Sequence, residues 1–230
     1  MSRQVITVRR DVLEQARIEA GDLRDEMSRR GTLVVNMISS PGAGKTALLA
    51  ATAQYWSAHE RGQRPRMAVL VGDLATDRDA QRLAPFVPVV QMTTGGACHL
   101  ELPLVKRALA ALGDSEAEFL FIENVGNLVC PASHDLGEHL RVILLSATEG
   151  DDKPGKYPKA FRTSHAMVIS KLDLLPYVPF SIDRAAADAR EIQPKLTILP
   201  LCALDGHGID AWCDFLETQR RELLAQPQCV

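Results

Sequence analysis

The sequence predicts an α/β fold in three layers, with a mostly parallel central sheet flanked by helices. Three observations carry that expectation. Seven apolar runs, at 32–38, 67–73, 87–92, 118–123, 140–148, 165–173 and 195–200, lack a regular polar face, as strands covered on both sides require. Segments with helical composition alternate with several of them, the pattern of strands joined by crossover helices. Most runs end in polar residues, among them Asp73, Glu123 and Asp173. Those are the C-terminal strand ends where open α/β sheets bind ligands.

Taken in order, residues 11–30 show helical apolar spacing (Val12, Leu13, Ala16, Ile18, Leu23, Met27) and stop at Gly31. The stripe is weak, so 1–30 is expected to form a helical lead-in to a domain spanning 31–230. The strand "TLVVNMI" feeds "SSPGAGKT" (39–46) and then helical "KTALLAATAQYW". "MAVLVGD" ends in an acid, and "VPVVQM" enters the glycine-bearing loop "TTGGACH". Helical "LELPLVKRALAAL" precedes "EFLFIE", and "LRVILLSAT", "HAMVISKLD" and "KLTILP" complete the strands. The region 148–164 reads as irregular, and the closing helix repeats Ile209, Trp212, Phe215, Leu216 and Leu223 at mostly three-to-four spacing.

A formal charge of -3 over 230 residues gives no reason to expect nucleic acid or a membrane surface as partner. No run reaches the roughly 20 apolar residues of a membrane span. Cysteines at 98, 130, 202, 213 and 229 form no CxxC pair and no disulfide framework. With a charged start and no signal-type apolar segment, the expectation is a cytoplasmic protein.

"SSPGAGKT" between a strand and a helix is nearly the P-loop G-x-x-x-x-G-K-[ST], with Ser39 in place of the first glycine. It makes the fold a P-loop NTPase. Gly42, Ala43 and Gly44 would let backbone N–H groups curl around phosphates at a helix N-terminus. Lys45 would reach the β- and γ-phosphates, and the Thr46 hydroxyl would bind Mg²⁺. "SKLD" (170–173) matches the guanine-reading N-K-x-D except for Ser170. Asp173 can accept from guanine N1–H and N2–H₂, the Lys171 stem can pack on the base, and Ala203 could aim an N–H at guanine O6. Adenine offers no matching donors, so GTP/GDP are the expected nucleotides. Asp73 and Glu123 suit Mg²⁺ directly or through water. Glu123-x-x-Gly126 resembles a γ-phosphate switch, with 74–80 (Thr76, Asp77, Asp79) as a first switch. No glutamine or arginine is placed to drive hydrolysis, so turnover is expected to be slow.

Cys98-His99 and Cys130 make a soft set suited to Ni²⁺ or Zn²⁺. Spacing alone reads more simply as two buried structural cysteines and an ordinary histidine. His134 is an extra candidate ligand or a solvated histidine. Cys202 and Cys213 read as packing residues, and Cys229 as a tail residue.

The ordered set "SSPGAGKT", "VGDLATDRDA", "TGGACHL", "ENVGNLVCPASHDLGE", "LLSATEGDDKPGKYP" and "SKLD" resembles the hydrogenase and urease maturation GTPases over residues 30 to 220. The resemblance implies a GTPase that dimerises around nucleotide and binds Ni²⁺ or Zn²⁺ at the interface through Cys98, His99 and Cys130. It implies a metallochaperone for [NiFe]-hydrogenase, with a nickel-delivery accessory protein and the hydrogenase large subunit as partners. The N-terminal CxxCGC motif and histidine-rich tract of many such proteins are missing from this chain. Alternatives on the same motifs are a metal-free GTP-regulated scaffold, a cobalamin-enzyme GTPase chaperone and a small-molecule kinase.

Overall fold

The computed structural model describes residues 8–59, 66–73, 77–113 and 115–225, with side chains from residue 14. Thr76 and Cys229 lie outside the described residues. The order is α1 (Val8–Arg29), β1 (Leu33–Ser39), α2 (Lys45–His59), β2 (Met67–Asp73), α3 (Arg78–Leu83), β3 (Val89–Thr93), α4 (Leu102–Leu112) and β4 (Phe119–Gly126). Then follow β5 (Leu140–Ser146), α5 (Lys153–Lys156), α6 (Pro158–Arg162), β6 (Ala166–Ser170), α7 (Ile182–Ile192), β7 (Thr197–Pro200) and α8 (Ile209–Ala225). Short 3₁₀ helices cover Pro131–Ser133 and Leu172–Tyr177.

The seven strands form one sheet in the order β3-β2-β4-β1-β5-β6-β7. Every strand pair is parallel. All strand C-termini therefore share one edge. β1 and β5 are buried along their whole length, which explains apolar runs with no polar alternation.

One face of the sheet packs on α2 and α8, where Trp56 stacks on Phe119 with centroids 4.6 Å apart. The buried Trp212 indole donates to Thr52 Oγ1 at 3.0 Å. The other face is covered by α1 with α4, and by α6 with α7. Ala20, Leu23 and Met27 bury the narrow stripe of α1, while Ile18 is left exposed. The region 148–164, read as irregular, contains α5 and α6. The helix α7 lies in a stretch left unassigned above, and its buried face is Ala185, Ala186 and Ala189. Its start is capped by Ser181 Oγ, which accepts from Arg184 N–H at 3.2 Å. No helix among the described residues is long and apolar enough to cross a membrane.

Candidate nucleotide and metal site

β1 ends at Ser39 and the chain turns through 40–44 into α2. Gly42 (φ 73°) and Gly44 (φ 100°) adopt a left-handed backbone that side chains disfavour. Lys45, 8% exposed, folds back so that Nζ donates to Ser39 Oγ at 3.0 Å. A serine at the position of the first P-loop glycine thus receives the lysine. Burial pulls the Lys45 ammonium below its usual range, and the Glu123 charge opposes this. Thr46 Oγ1 donates to Glu123 Oε1 at 2.8 Å. Glu123, 4% exposed, is pushed by burial up to about 7, against the pull of Lys45 and Thr46. Asp73 and Asp79 add like-charge repulsion. Glu123 Oε2 is buried with no hydrogen-bond partner. An orphaned carboxylate oxygen beside a lysine and a threonine hydroxyl, with Asp73 at the end of β2, is a hard oxygen set that fits Mg²⁺.

Gly126, at the end of β4, touches the phosphate loop directly. A Cβ there would lie 2.7 Å from Pro41 Cα, so only glycine fits while the loop keeps this position. Asn127 bridges back to Ser39 in antiparallel fashion.

β6 delivers "SKLD" to the other side of the same loop. Ser170 Oγ donates to the Ala43 carbonyl at 2.7 Å, and Lys171 Nζ to the Gly42 carbonyl at 2.7 Å. Lys171 sits in the left-handed region (φ 62°). The serine that departs from the asparagine pattern still ties the base motif to the phosphate loop. Asp173 Oδ1 accepts from the Cys202 thiol at 3.2 Å. Burial raises Cys202, keeping it a protonated donor. Cys202, read as packing only, therefore also belongs to this site. Ala203 opens the exposed turn that follows it.

About the 93–101 loop, Cys98, His99 and Cys130 gather with their ligand atoms all within 4.8 Å of one another. The Cys98 and Cys130 sulfurs are 2.8 Å apart, and Cys98 Sγ is 3.7 Å from His99 Nδ1. The Cys130 thiol beside it holds Cys98 above the usual thiol range. Both cysteines are free, and Cys98 is exposed, so the alternative of two buried structural thiols does not describe this pair. Adjacent Cys98 and His99 face one point because the loop turns tightly there. His99 Nε2 is buried without a hydrogen-bond partner. His134 does not join the ligand group. Its ring stacks on His99 with centroids 3.8 Å apart. Asn127 Nδ2 donates to the Cys98 carbonyl at 3.2 Å, which joins this cluster to the residue after Gly126.

An all-parallel sheet carrying a glycine-turn, Lys-Thr phosphate loop at its C-terminal edge defines a P-loop nucleotide-binding protein. The family described as CobW/HypB/UreG, nucleotide-binding domain, matches residues 33–200. The hydrogenase maturation factor HypB of Escherichia coli (strain K12) is 43% identical over 219 residues, covering 95% of this chain and 74% of that protein. The hydrogenase/urease maturation factor HypB of Helicobacter hepaticus is 38% identical over 227 residues, covering 96% and 91%. The chain belongs to the HypB hydrogenase maturation factors of the CobW/HypB/UreG family. Among solved structures, HypB from Helicobacter pylori in complex with nickel superposes with a TM-score of 0.84 at 35% identity, covering 94% of this chain and all (100%) of that one. HypB from Archaeoglobus fulgidus gives 0.80 at 32% identity, covering 90% and 99%. A LAO/AO transport system kinase at 0.56 and 17% identity shares the fold.

Proposed function

We propose that this protein is a GTP-hydrolysing, Mg²⁺-dependent metallochaperone that carries nickel for [NiFe]-hydrogenase. The observation that carries the reading is one short segment. Gly126 abuts Pro41 of the phosphate loop, Asn127 holds the Cys98 carbonyl, and Cys130 follows three residues later.

Gly42, Ala43 and Gly44 cradle the phosphates, and Lys45 leaves Ser39 to meet the β- and γ-oxygens. Asp173 accepts from the guanine edge, the Lys171 stem lines the base, and Ala203 presents its N–H toward O6. Thr46, Asp73 and Glu123 hold Mg²⁺, which when bound neutralises charge on the phosphate oxygens. A γ-phosphate alters the space available to Gly126 beside Pro41. Displacement there pulls on Asn127 and changes the spacing of Cys98, His99 and Cys130. Nucleotide and cargo affinity are then linked, and linkage acts in both directions.

Nickel is the cargo. Two thiols and an imidazole supply three soft or borderline donors, so Zn²⁺ competes for the same set. A further ligand comes from a second copy in a GTP-dependent homodimer, or from the accessory protein or hydrogenase large subunit that exchanges nickel with it. Turnover is slow. The site of action is the cytoplasm, where thiols remain reduced.

The test is the Ni²⁺ affinity with GDP and with a non-hydrolysable GTP analogue, with light scattering on both samples. Different affinities and a nucleotide-dependent dimer are expected. Equal affinities with one unchanged oligomer overturn the coupling. Cys98→Ala with Cys130→Ala should abolish nickel binding while guanine nucleotide still binds.

A further inference from the structure

Behind the cysteine cluster lies a buried polar chain with no part in nucleotide or metal contact. Asn124, next to Glu123 in β4, donates Nδ2–H to Asn36 Oδ1 at 3.2 Å. Asn36, in β1, donates Nδ2–H to Glu138 Oε1 at 3.2 Å. Arg141 donates to the same oxygen from Nε at 2.9 Å and from Nη2 at 2.5 Å. Glu138 Oε2 accepts from Leu136 N–H at 2.7 Å. All four side-chain-bearing residues, Asn36, Asn124, Glu138 and Arg141, are buried. The remaining Arg141 donors reach two carbonyls and one hydroxyl: Nη1 the Ala132 carbonyl at 3.2 Å and Thr163 Oγ1 at 3.1 Å, and Nη2 the His134 carbonyl at 2.7 Å.

Those two carbonyls belong to the turn that presents Cys130. His134 closes the connection. Its Nδ1 lies 2.9 Å from the Cys130 carbonyl, which only accepts, so Nδ1 carries the proton. Its ring lies against His99 at an interplanar angle of 21°. Near-parallel stacked rings aim their in-plane lone pairs side by side, so the two imidazoles do not converge on one ion. The stack fixes the His99 ring instead.

We propose that Arg141, held by Glu138, is the positioning residue of the metal site. It clamps the far end of the 130–134 turn, and through His134 it fixes the Cys130 backbone and the His99 ring. The inference rests on the metal-binding role proposed above. It adds a mechanical requirement to it. A displacement at Gly126–Asn127 changes the Cys98–Cys130 geometry only if the other end of the turn stays fixed. Glu138, bonded to Asn36 of the central strand β1, supplies that fixed point. Guanidinium planarity matters, because one lysine ammonium cannot meet a carboxylate and two separate carbonyls in the same fork.

The test uses Arg141→Lys and His134→Phe in the full chain. His134→Phe keeps a ring against His99 but loses the bond to the Cys130 carbonyl. Each is compared with wild type for Ni²⁺ affinity in GDP and in a GTP analogue, for the nickel–thiolate charge-transfer spectrum, and for metal-free GDP affinity. Losing partners that orient metal ligands costs about 10-fold or more in metal affinity. Arg141→Lys should lose Ni²⁺ affinity on that scale, with a shifted charge-transfer band and a GDP-to-GTP affinity ratio near one. His134→Phe should lose several-fold, and both should bind metal-free GDP as wild type does. Wild-type nickel affinity, band and ratio in both variants overturn the inference. Should Arg141→Lys fail to fold, unchanged nickel behaviour of His134→Phe overturns it alone. A wild-type protein without nickel binding overturns the functional reading and this inference together. A wild type that binds nickel without nucleotide dependence, but loses affinity in the variants, refutes the coupling and supports the clamp.

Discussion

At position 202 a thiol donates to Asp173 across 3.2 Å, and that contact narrows what the carboxylate can do. A carboxylate offers about four acceptor positions, so Cys202 can fix its orientation and leave the guanine-facing ones open. Losing a neutral hydrogen bond of this kind costs roughly 0.5–1.5 kcal/mol, so Cys202→Ala should weaken GDP about 2- to 10-fold in a competition assay. Under the proposed guanine contacts, Asp173→Asn should cost more, above about 10-fold, because both bonds would be charge-assisted. It should also shift preference toward xanthosine nucleotides, whose 2-carbonyl accepts from the new amide. The motifs mark Asp173, Lys45 and Thr46 in the sequence as candidates, since they depend on local order. It could not expose Cys202, whose partner lies 29 residues away in the chain. Ser170 looked like a loss from the guanine motif, and its hydroxyl to Ala43 became visible only when β6 and the phosphate loop met.

Among the elements, α1 illustrates how a weak stripe still commits a helix. Three buried side chains do the packing, and polar contacts finish the docking. Arg24 pairs with both Asp135 oxygens at 2.7 and 2.8 Å and donates to the Glu138 carbonyl at 2.8 Å. Leu23 presses on Gly137, whose φ is 79° and whose Cβ would come within 2.9 Å of that leucine. His139 joins α1 to β1: its Nδ1 accepts from Val34 N–H at 2.9 Å, while Nε2 lies 3.2 Å from the Arg24 carbonyl. Burial lowers His139 from 6.5 to about 4, with the Arg24 carbonyl opposing. Between those values the unfolded chain takes up a proton that the folded chain refuses, so stability falls as pH falls through that window. Melting temperature should drop on the order of 5 °C from this group on going from pH 7 to 4. In His139→Gln, the part of the drop due to this group should be absent. A variant with the wild-type slope would assign the acid loss elsewhere. The sequence placed the end of α1 at Gly31, two residues past its last residue Arg29, but not this docking, because the partners of Arg24 and of His139 lie more than 100 positions away in the chain.

Across the whole molecule, a single strand organises both chemistries. β4 lies between β2 and β1, and at its end stand Glu123 of the proposed Mg²⁺ set, Gly126 against the phosphate loop and Asn127 against the Cys98 carbonyl. The three-layer architecture was legible because buried parallel strands lack polar alternation. The cysteine cluster was legible as a list of residues and not as a geometry. Nothing in the spacing tells that the 93–101 loop folds over the end of β4, or that a buried guanidinium backs the turn beyond it. The helices α5 and α6, of four and five residues, are too short to show a period, and α7 buries only alanines.

The place where β4 stops has a consequence in time as well as in space. Its residues from Phe119 to Glu123 are buried and paired on both sides, so their amides open to solvent only when the sheet itself comes apart. Asn127 to Cys130 have no ladder partner beyond the bridge at Ser39. In a hydrogen–deuterium exchange experiment the boundary between slow and fast labelling should fall between Glu123 and Asn127. Exchange on the far side should slow when a GTP analogue and nickel are both bound, while β4 stays unchanged. If labelling of β4 tracked the nucleotide instead, the moving part would be the sheet. Under the proposed coupling, β4 is a stationary clock face and 127–130 a hand only a few residues long.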